Sequence, residues 1–274
     1  MVKETSPWCY VLHVSPETDL DEAWQLLQEA GLSPLYIEED LEKLTRIFVD
    51  ANSDLTIESL LERFPFIDYA EREELGNIDW EQQWAIHGQN FQDGYVHIDL
   101  PNAVSSKWKR LKLTPGAGFG DLSHPTTHLV LRMMRDFVAD HYVVDVGCGS
   151  GVLALCAIAL GAKQVDAIDI DEKALEHAQD NAKINEMSNH IAFYLPEDFH
   201  SKHITSVILM NMIMSEQKQA WDVLKSLHKQ NGVCIVSGVL AEQKEDYLHQ
   251  AKLWGWKLAE VQKELDWLGF RFER

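Results

Sequence analysis

The sequence has little cysteine, little positive charge and no long apolar run. Four cysteines, Cys9, Cys148, Cys156 and Cys234, are scattered over 274 residues with no CxxC pair. So sparse a set excludes a disulfide scaffold and a thiolate metal site, and it fits a reducing compartment. No uninterrupted apolar stretch approaches the ~18 residues of a membrane span. The opening MVKETSPWCYVLHV has no long apolar core and no small-residue cleavage site, so no signal peptide is expected. A cytoplasmic protein without membrane contact follows. Lys plus Arg total 24 against 44 Asp plus Glu, a net charge of -20. Such a field repels phosphate backbones and argues against direct nucleic-acid binding. It suits a basic protein partner, or it serves solubility.

What is present is an ordinary globular composition, 46% hydrophobic and 25% charged, with length enough for about two domains. The charge is uneven. Residues 1–80 hold 19 acidic and 5 basic side chains, and the remainder hold 25 and 19. A shift of this size marks two modules.

The first module, residues 1–76, reads as short alternating elements. Trp8 to Val14 alternates as a strand, and Leu20, Ala23, Trp24, Leu27 and Ala30 recur at helical spacing before Gly31. Leu35–Ile37 and Leu44–Val49 form a hairpin. Asp54 precedes a helix carrying Ile57, Leu60, Leu61 and Phe64, stopped by Pro65, and Phe66–Ala70 is a last strand. The order β-α-β-β-α-β predicts a ferredoxin-like α+β unit.

Residues 77–113 are expected to be a linker helix and connecting strands. Asn77–Ala85 carries Trp80 and Trp84 one turn apart, suited to sealing an interdomain contact. Tyr95–Leu100 and Trp108–Leu113 alternate like strands around a polar loop. Lys107, Lys109, Arg110 and Lys112 form a basic island, either a solvated strand face or a contact for a phosphate or an acidic partner.

Residues 114–274 alternate apolar strands (143–146, 165–170, 191–195, 207–210, 233–237) with helical stretches (124–138, 150–160, 172–185, 215–229, 241–253). Two further strands follow at 254–261 and 265–272. Strands buried between helices predict a doubly wound α/β sheet. Seven of them fit the Rossmann-like domain of class I methyltransferases.

The chemistry concentrates at Val143-Val-Asp-Val-Gly-Cys-Gly-Ser-Gly151. A strand ends near Asp145, then Gly147, Gly149 and Gly151 make a tight turn into a helix, where a ligand approaches the backbone closely. A dinucleotide fingerprint would place glycine where Val152 stands, which disfavours a nicotinamide oxidoreductase. Asp169 ends the next strand, 22 residues after Gly147, where an acid accepts ribose hydroxyls. Asp171 suits a helix N-cap. Asn211 closes the fourth strand, placed either to offer its amide to an amine or to cap a helix. His124 and His128 are four apart, but Pro125 occupies the place of a zincin glutamate, and no metal site is expected.

Four segments together resemble the ribosomal protein L11 methyltransferase (PrmA) family. Pro115-Gly-Ala-Gly-Phe-Gly-Asp-Leu-Ser-His-Pro-Thr-Thr127 resembles its PGxxFGTGxHPTT loop, and 143–151 resembles VxDxGCGSG. Ile168-Asp-Ile-Asp171 with Asn181 and Asn185 is similar to IDIDPxA…NAxxN, and Asn211-Met-Ile to NIL. Asp79-Trp-Glu-Gln-Gln-Trp84 resembles the family's linker. The resemblance implies transfer of methyl groups from S-adenosyl-L-methionine to lysine and N-terminal amines of ribosomal protein L11. It implies that the acidic small domain grips that protein; two modules joined by a linker suit a monomer. It assigns Thr127, Asp145, Gly147, Gly149, Gly151, Asp169 and Asn211 to the cofactor, with Asn211 and Thr127 orienting the amine. Two departures stand out: Gly120-Asp121-Leu122-Ser123 replaces the family's GTG, and Met212-Ile213-Met214 leads into Ser215-Glu-Gln rather than small residues and Gly-Pro. The competing reading is a non-catalytic or diverged methyltransferase-fold protein that binds a protein partner without transfer.

Overall fold

The computed structural model describes residues 8–32, 34–39, 45–50, 56–74, 91–116, 120, 124–201 and 203–274. The expected linker helix with Trp80 and Trp84, the Asp54 helix start and the altered 121–123 stretch lie outside the described residues. The chain divides into two compact units, Met1–Asp79 and Trp80–Arg274.

In the first unit the elements are β1 (Trp8–Val14), α1 (Leu20–Glu29), β2 (Pro34–Glu39), β3 (Thr45–Asp50), α2 (Ile57–Arg63) and β4 (Ile67–Glu74). The strands form one antiparallel sheet in the order β2-β3-β1-β4. Strand alternation decides which face is covered. Tyr10, Leu12, Val14, Ile47 and Val49 share one core with Ala23 and Leu27 of α1 and Leu60 of α2. Thr56 caps α2 by accepting from the Ser59 amide at 3.3 Å.

The second unit opens with a three-stranded antiparallel meander, β5 (Phe91–Gln92), β6 (Tyr95–Asp99) and β7 (Arg110–Leu113). Its Val96, Ile98, Leu111 and Leu113 are buried in the same core as Val130, Leu155 and Ile158. The segment is therefore more than a connection. Trp108 lies in a single 3-10 turn, Ser106–Trp108, so β7 starts two residues later than the alternation predicts. Three of the four cations of the basic island have local partners. Lys107 meets Glu186 at 3.3 Å, Arg110 meets Asp99 at 3.6 Å, and Lys112 lies over the Tyr95 ring.

Then come α3 (Pro125–Met134), β8 (Tyr142–Val146), α4 (Val152–Ala159), β9 (Gln164–Ile168), α5 (Glu172–Ile184), β10 (Ile191–Tyr194), β11 (Thr205–Asn211), α6 (Met214–Val223), β12 (Asn231–Leu240), α7 (Lys244–Leu253), β13 (Lys257–Glu264) and β14 (Trp267–Glu273). The seven-stranded sheet runs β10-β9-β8-β11-β12-β14-β13. Its first five strands are parallel, and β14 is antiparallel to both neighbours. Every residue of α4 is buried, as an apolar-all-round helix requires. The opposite layer is aromatic, with Trp221, Tyr247, Trp256, Phe270 and Phe272 in one cluster. The predicted helix 215–229 breaks at Leu224 (ψ 51°) into α6 and a 3-10 turn, Lys225–Lys229. Gly255, at φ +82°, ends α7, so the last strands begin at Lys257 rather than Trp254. Strand order reverses between β8 and β11, which places the ligand crevice of such a sheet at their carboxyl ends.

Candidate functional site

Both loops at that crevice carry the residues singled out in the sequence. After β8 the chain turns through Gly147 (φ +70°), Gly149 and Gly151 (φ +79°) into α4. The left-handed backbone favours glycine at both ends of the turn. The surroundings are also close: a Cβ on Gly147 would displace the mobile Met212 methyl, 2.1 Å away, and one on Gly151 would lie 3.0 Å from Ala178 Cβ. The Gly147 and Cys148 amides donate to Ile168 O at 2.8 and 3.0 Å, which fastens the turn to the end of β9.

Asp169 is built into the same turn. Its Oδ2 accepts from the Gly149 amide at 2.9 Å and its Oδ1 from the Asp171 amide at 3.0 Å. Burial pushes its carboxyl above the usual range despite those bonds. Asp171 caps α5, accepting from Lys173 N at 2.9 Å. Between them Ile170 is 84% exposed.

Asp145 lies one strand away, paired with Ala167 and Leu209 in the middle of the sheet. It is 1% exposed. Among the described residues neither carboxylate oxygen has a hydrogen-bond partner of normal geometry. Burial raises its pKa to about 7, with slight relief from the Ala154 amide. Sequence reading missed a third acid, Glu216, in the first turn of α6. It is half-buried, and burial and the Asp169 charge push its carboxyl up. Burial is the main cause at all three carboxyls, and the Asp169 charge adds to the shift at Asp145 and Glu216; a cation brought among them would favour their charged forms.

The folded chain holds the Asp145 proton more tightly than the unfolded chain does. Its contribution to stability is complete below about pH 4 and is lost as pH rises through about 7. Asp145→Asn does not ionise. From pH 4 to pH 8 its unfolding free energy is expected to gain on wild type by on the order of 3 kcal/mol, read by chemical denaturation at the two pH values. Parallel pH profiles would contradict the buried, uncompensated carboxylate.

Asn211 ends β11, and Ile213, not Asn211, caps α6. The Asn211 Nδ2 donates to Thr127 Oγ1 at 3.1 Å. Thr127 stands in the first turn of α3, where Pro125 occupies the first position and His124 caps the helix. It is fully buried, while Asn211 is half-buried. The structure thus brings together Thr127 and Asn211, and joins Asp169 to the glycine turn. His128 instead faces Glu264 at 2.8 Å, and no metal-binding group of three or more His, Cys, Asp or Glu occurs among the described residues.

Further side chains hold the loops. Asn181 Nδ2 donates to Ser150 O at 2.9 Å, while its Oδ1 accepts from the Thr114 amide at 2.8 Å. Ser150 Oγ donates to Gly120 O. His177 Nε2 lies 2.7 Å from Thr114 O. One helix, α5, therefore anchors both the glycine turn and the stretch leading toward α3. Asn185 extends the latch, its Oδ1 accepting from the Lys112 amide at 2.9 Å. Asn181 and Asn185 are thus structural partners of the site.

Residues 13–274 match the family model for ribosomal protein L11 methyltransferase (PrmA). A ribosomal protein L11 methyltransferase of Photobacterium profundum is 35% identical over 211 residues, covering 72% of this chain and 70% of that protein. One of Vibrio campbellii is 37% identical over 183 residues, covering 64% of this chain and 60% of that protein. The chain thus matches less than two thirds of that relative's length. Among solved structures, a ribosomal protein L11 methylase from Lactobacillus delbrueckii subsp. bulgaricus superposes with a TM-score of 0.52 at 30% identity, over 59% of this chain and 83% of that one. The glycine turn, its acid and the asparagine at the end of the fourth parallel strand are therefore set in a chain that belongs to the ribosomal protein L11 methyltransferase family.

Proposed function

We propose that the protein is an S-adenosyl-L-methionine-dependent protein methyltransferase acting on lysine and N-terminal amines of ribosomal protein L11. The observation that carries the reading is the tie between Asp169 and the Gly149 amide at the switch point of the sheet. It makes the glycine turn and the ribose-accepting acid one rigid unit. The cofactor also fits the electrostatics. The uncompensated Asp145 carboxyl and the raised Asp169 and Glu216 carboxyls suit a ligand bearing an ammonium and a sulfonium.

When bound, S-adenosylmethionine supplies an activated methyl group. The chain's own task is to bind, orient and exclude water. Asp169 would accept the ribose hydroxyls, Gly147, Gly149 and Gly151 would give the close backbone approach, and Asp145, enclosed in the sheet, would act on the positive end through its charge rather than by contact. Thr127 and Asn211 would stand at the methyl end. With Nδ2 engaged by Thr127, Asn211 Oδ1 is the acceptor for an amine N–H. Desolvation lowers the pKa of a lysine entering the site, and no side chain is assigned as general base.

The small unit would be a ferredoxin-like module, supported by its β-α-β-β-α-β succession and β2-β3-β1-β4 order. Its excess of acidic residues suits a basic ribosomal protein. A cytoplasmic monomer completes the reading. Among the described residues no helix is long and apolar enough to cross a membrane. Labelled methyl transfer should be confined to L11 when it is offered beside other basic ribosomal proteins. Label spread evenly over the mixture would refute the assigned substrate. Cofactor binding and partner binding without label would establish the diverged, non-catalytic alternative.

A further inference from the structure

Gln217 and Trp221 of α6 and Leu224 at its C-cap are all buried and recur at helical spacing. An amide on an apolar stripe costs stability unless its hydrogen bonds are made. Here they are. Gln217 is 0% exposed. Its Nε2 donates to Met212 O at 2.8 Å and to Ser237 O at 3.0 Å, and its Oε1 accepts from the Tyr247 hydroxyl. One buried side chain therefore binds the turn after β11, the middle of β12 and helix α7.

The backbone of β12 also comes close to the Met212 carbonyl. Gly238 has φ +90°, and a Cβ there would lie 2.2 Å from Met212 O. The register between β12 and β14 shifts between Val236 and Val239, and Ser237 Oγ donates to Leu268 O at 2.9 Å. The irregularity thus spans Gly238, the point where β12 comes close to the carbonyl that Gln217 binds. Asn211 is the residue before that carbonyl. The Met212 methyl, in turn, rests against Gly147. These contacts fall where the sequence departs from the family pattern, at Met212 to Gln217.

We propose that Gln217 is a positioning residue for methyl transfer: by fixing the Met212 carbonyl, it sets how Asn211 meets Thr127 and how closely Met212 lies on the glycine turn. The inference rests on the methyltransferase reading above. Gln217 itself touches neither substrate nor cofactor. Its effect is on geometry, and small errors of orientation at a transfer site cost rate before they cost affinity.

The test compares Gln217→Met, close in volume but without the amide, with Tyr247→Phe, which removes only the hydroxyl that Gln217 accepts from. For Gln217→Met, kcat is expected to fall at least tenfold, with the cofactor dissociation constant by calorimetry within threefold of wild type. Its crystal structure should show the Asn211 Nδ2 to Thr127 Oγ1 contact opened beyond hydrogen-bond range. Tyr247→Phe should lose a few-fold in kcat, with little further loss when added to Gln217→Met, because both act through one amide. An intact Asn211–Thr127 contact with an unchanged kcat would overturn the inference. So would parallel losses of rate and affinity, or fully additive losses in the double variant. If wild type transfers no methyl group, the functional reading fails, and the Asn211–Thr127 contact in the variant crystal still decides the role of Gln217.

Discussion

Asp169→Ala is expected to raise the dissociation constant for S-adenosylmethionine by about 100-fold, and by no less than tenfold. Two effects act together. Hydrogen bonds to a charged acceptor contribute about 1.5–3 kcal/mol each, and the ribose offers two hydroxyls. The substitution also frees the Gly149 amide, which Asp169 holds at 2.9 Å, so the turn loses order before the ligand arrives. Asp171→Ala is the matched control. Asp171 is exposed and caps α5, so its loss should cost about 1 kcal/mol of stability and leave the dissociation constant within threefold. Calorimetry on both variants reads the difference. Equal affinities for Asp169→Ala and wild type would remove the acid from the site.

Asn211→Ala is the second large effect, and it should appear in turnover. Asn211 is half-buried at the carboxyl end of β11 and anchored to Thr127 at 3.1 Å. Removing it takes away the acceptor for the amine and the group that fixes its direction. A kcat loss of about 100-fold, or roughly 2.7 kcal/mol of barrier, is expected, with a much smaller change in cofactor affinity. Thr127→Val keeps the shape but leaves Asn211 Nδ2 without that acceptor. It should lose about tenfold, and the double variant should lose less than the product of the two. An affinity loss as large as the kcat loss would make Asn211 a binding residue rather than an orienting one.

The parts of this arrangement that depend on short-range pattern were legible in the sequence. The five parallel strands announce themselves as apolar runs between amphipathic helices. The glycine turn lies where its spacing put it, and Asp171 caps its helix as its position suggests. Harder to read were features set by contacts between distant segments. Nothing local tells that the meander 91–113 joins the core of Val130 and Leu155. The break at Leu224 interrupts a run that continues to look helical. Asp145 is legible as an acid before a glycine turn, but its burial, with no hydrogen-bond partner of normal geometry among the described residues, depends on the neighbouring strands. Glu216 and Gln217 sit in a stretch with no motif. The sole local hint for Gln217 is a polar residue in register with Trp221 and Leu224, and its meaning emerges from Met212, Ser237 and Tyr247 around it.

The most direct test of the account is the intact mass of ribosomal protein L11 after incubation with this protein and S-adenosylmethionine. Peaks displaced by multiples of about 14 Da are expected, one for each methyl group replacing a hydrogen, absent with Asp169→Ala at limiting cofactor and strongly delayed with Asn211→Ala. An unshifted L11 mass with wild-type protein that binds the cofactor would contradict the account.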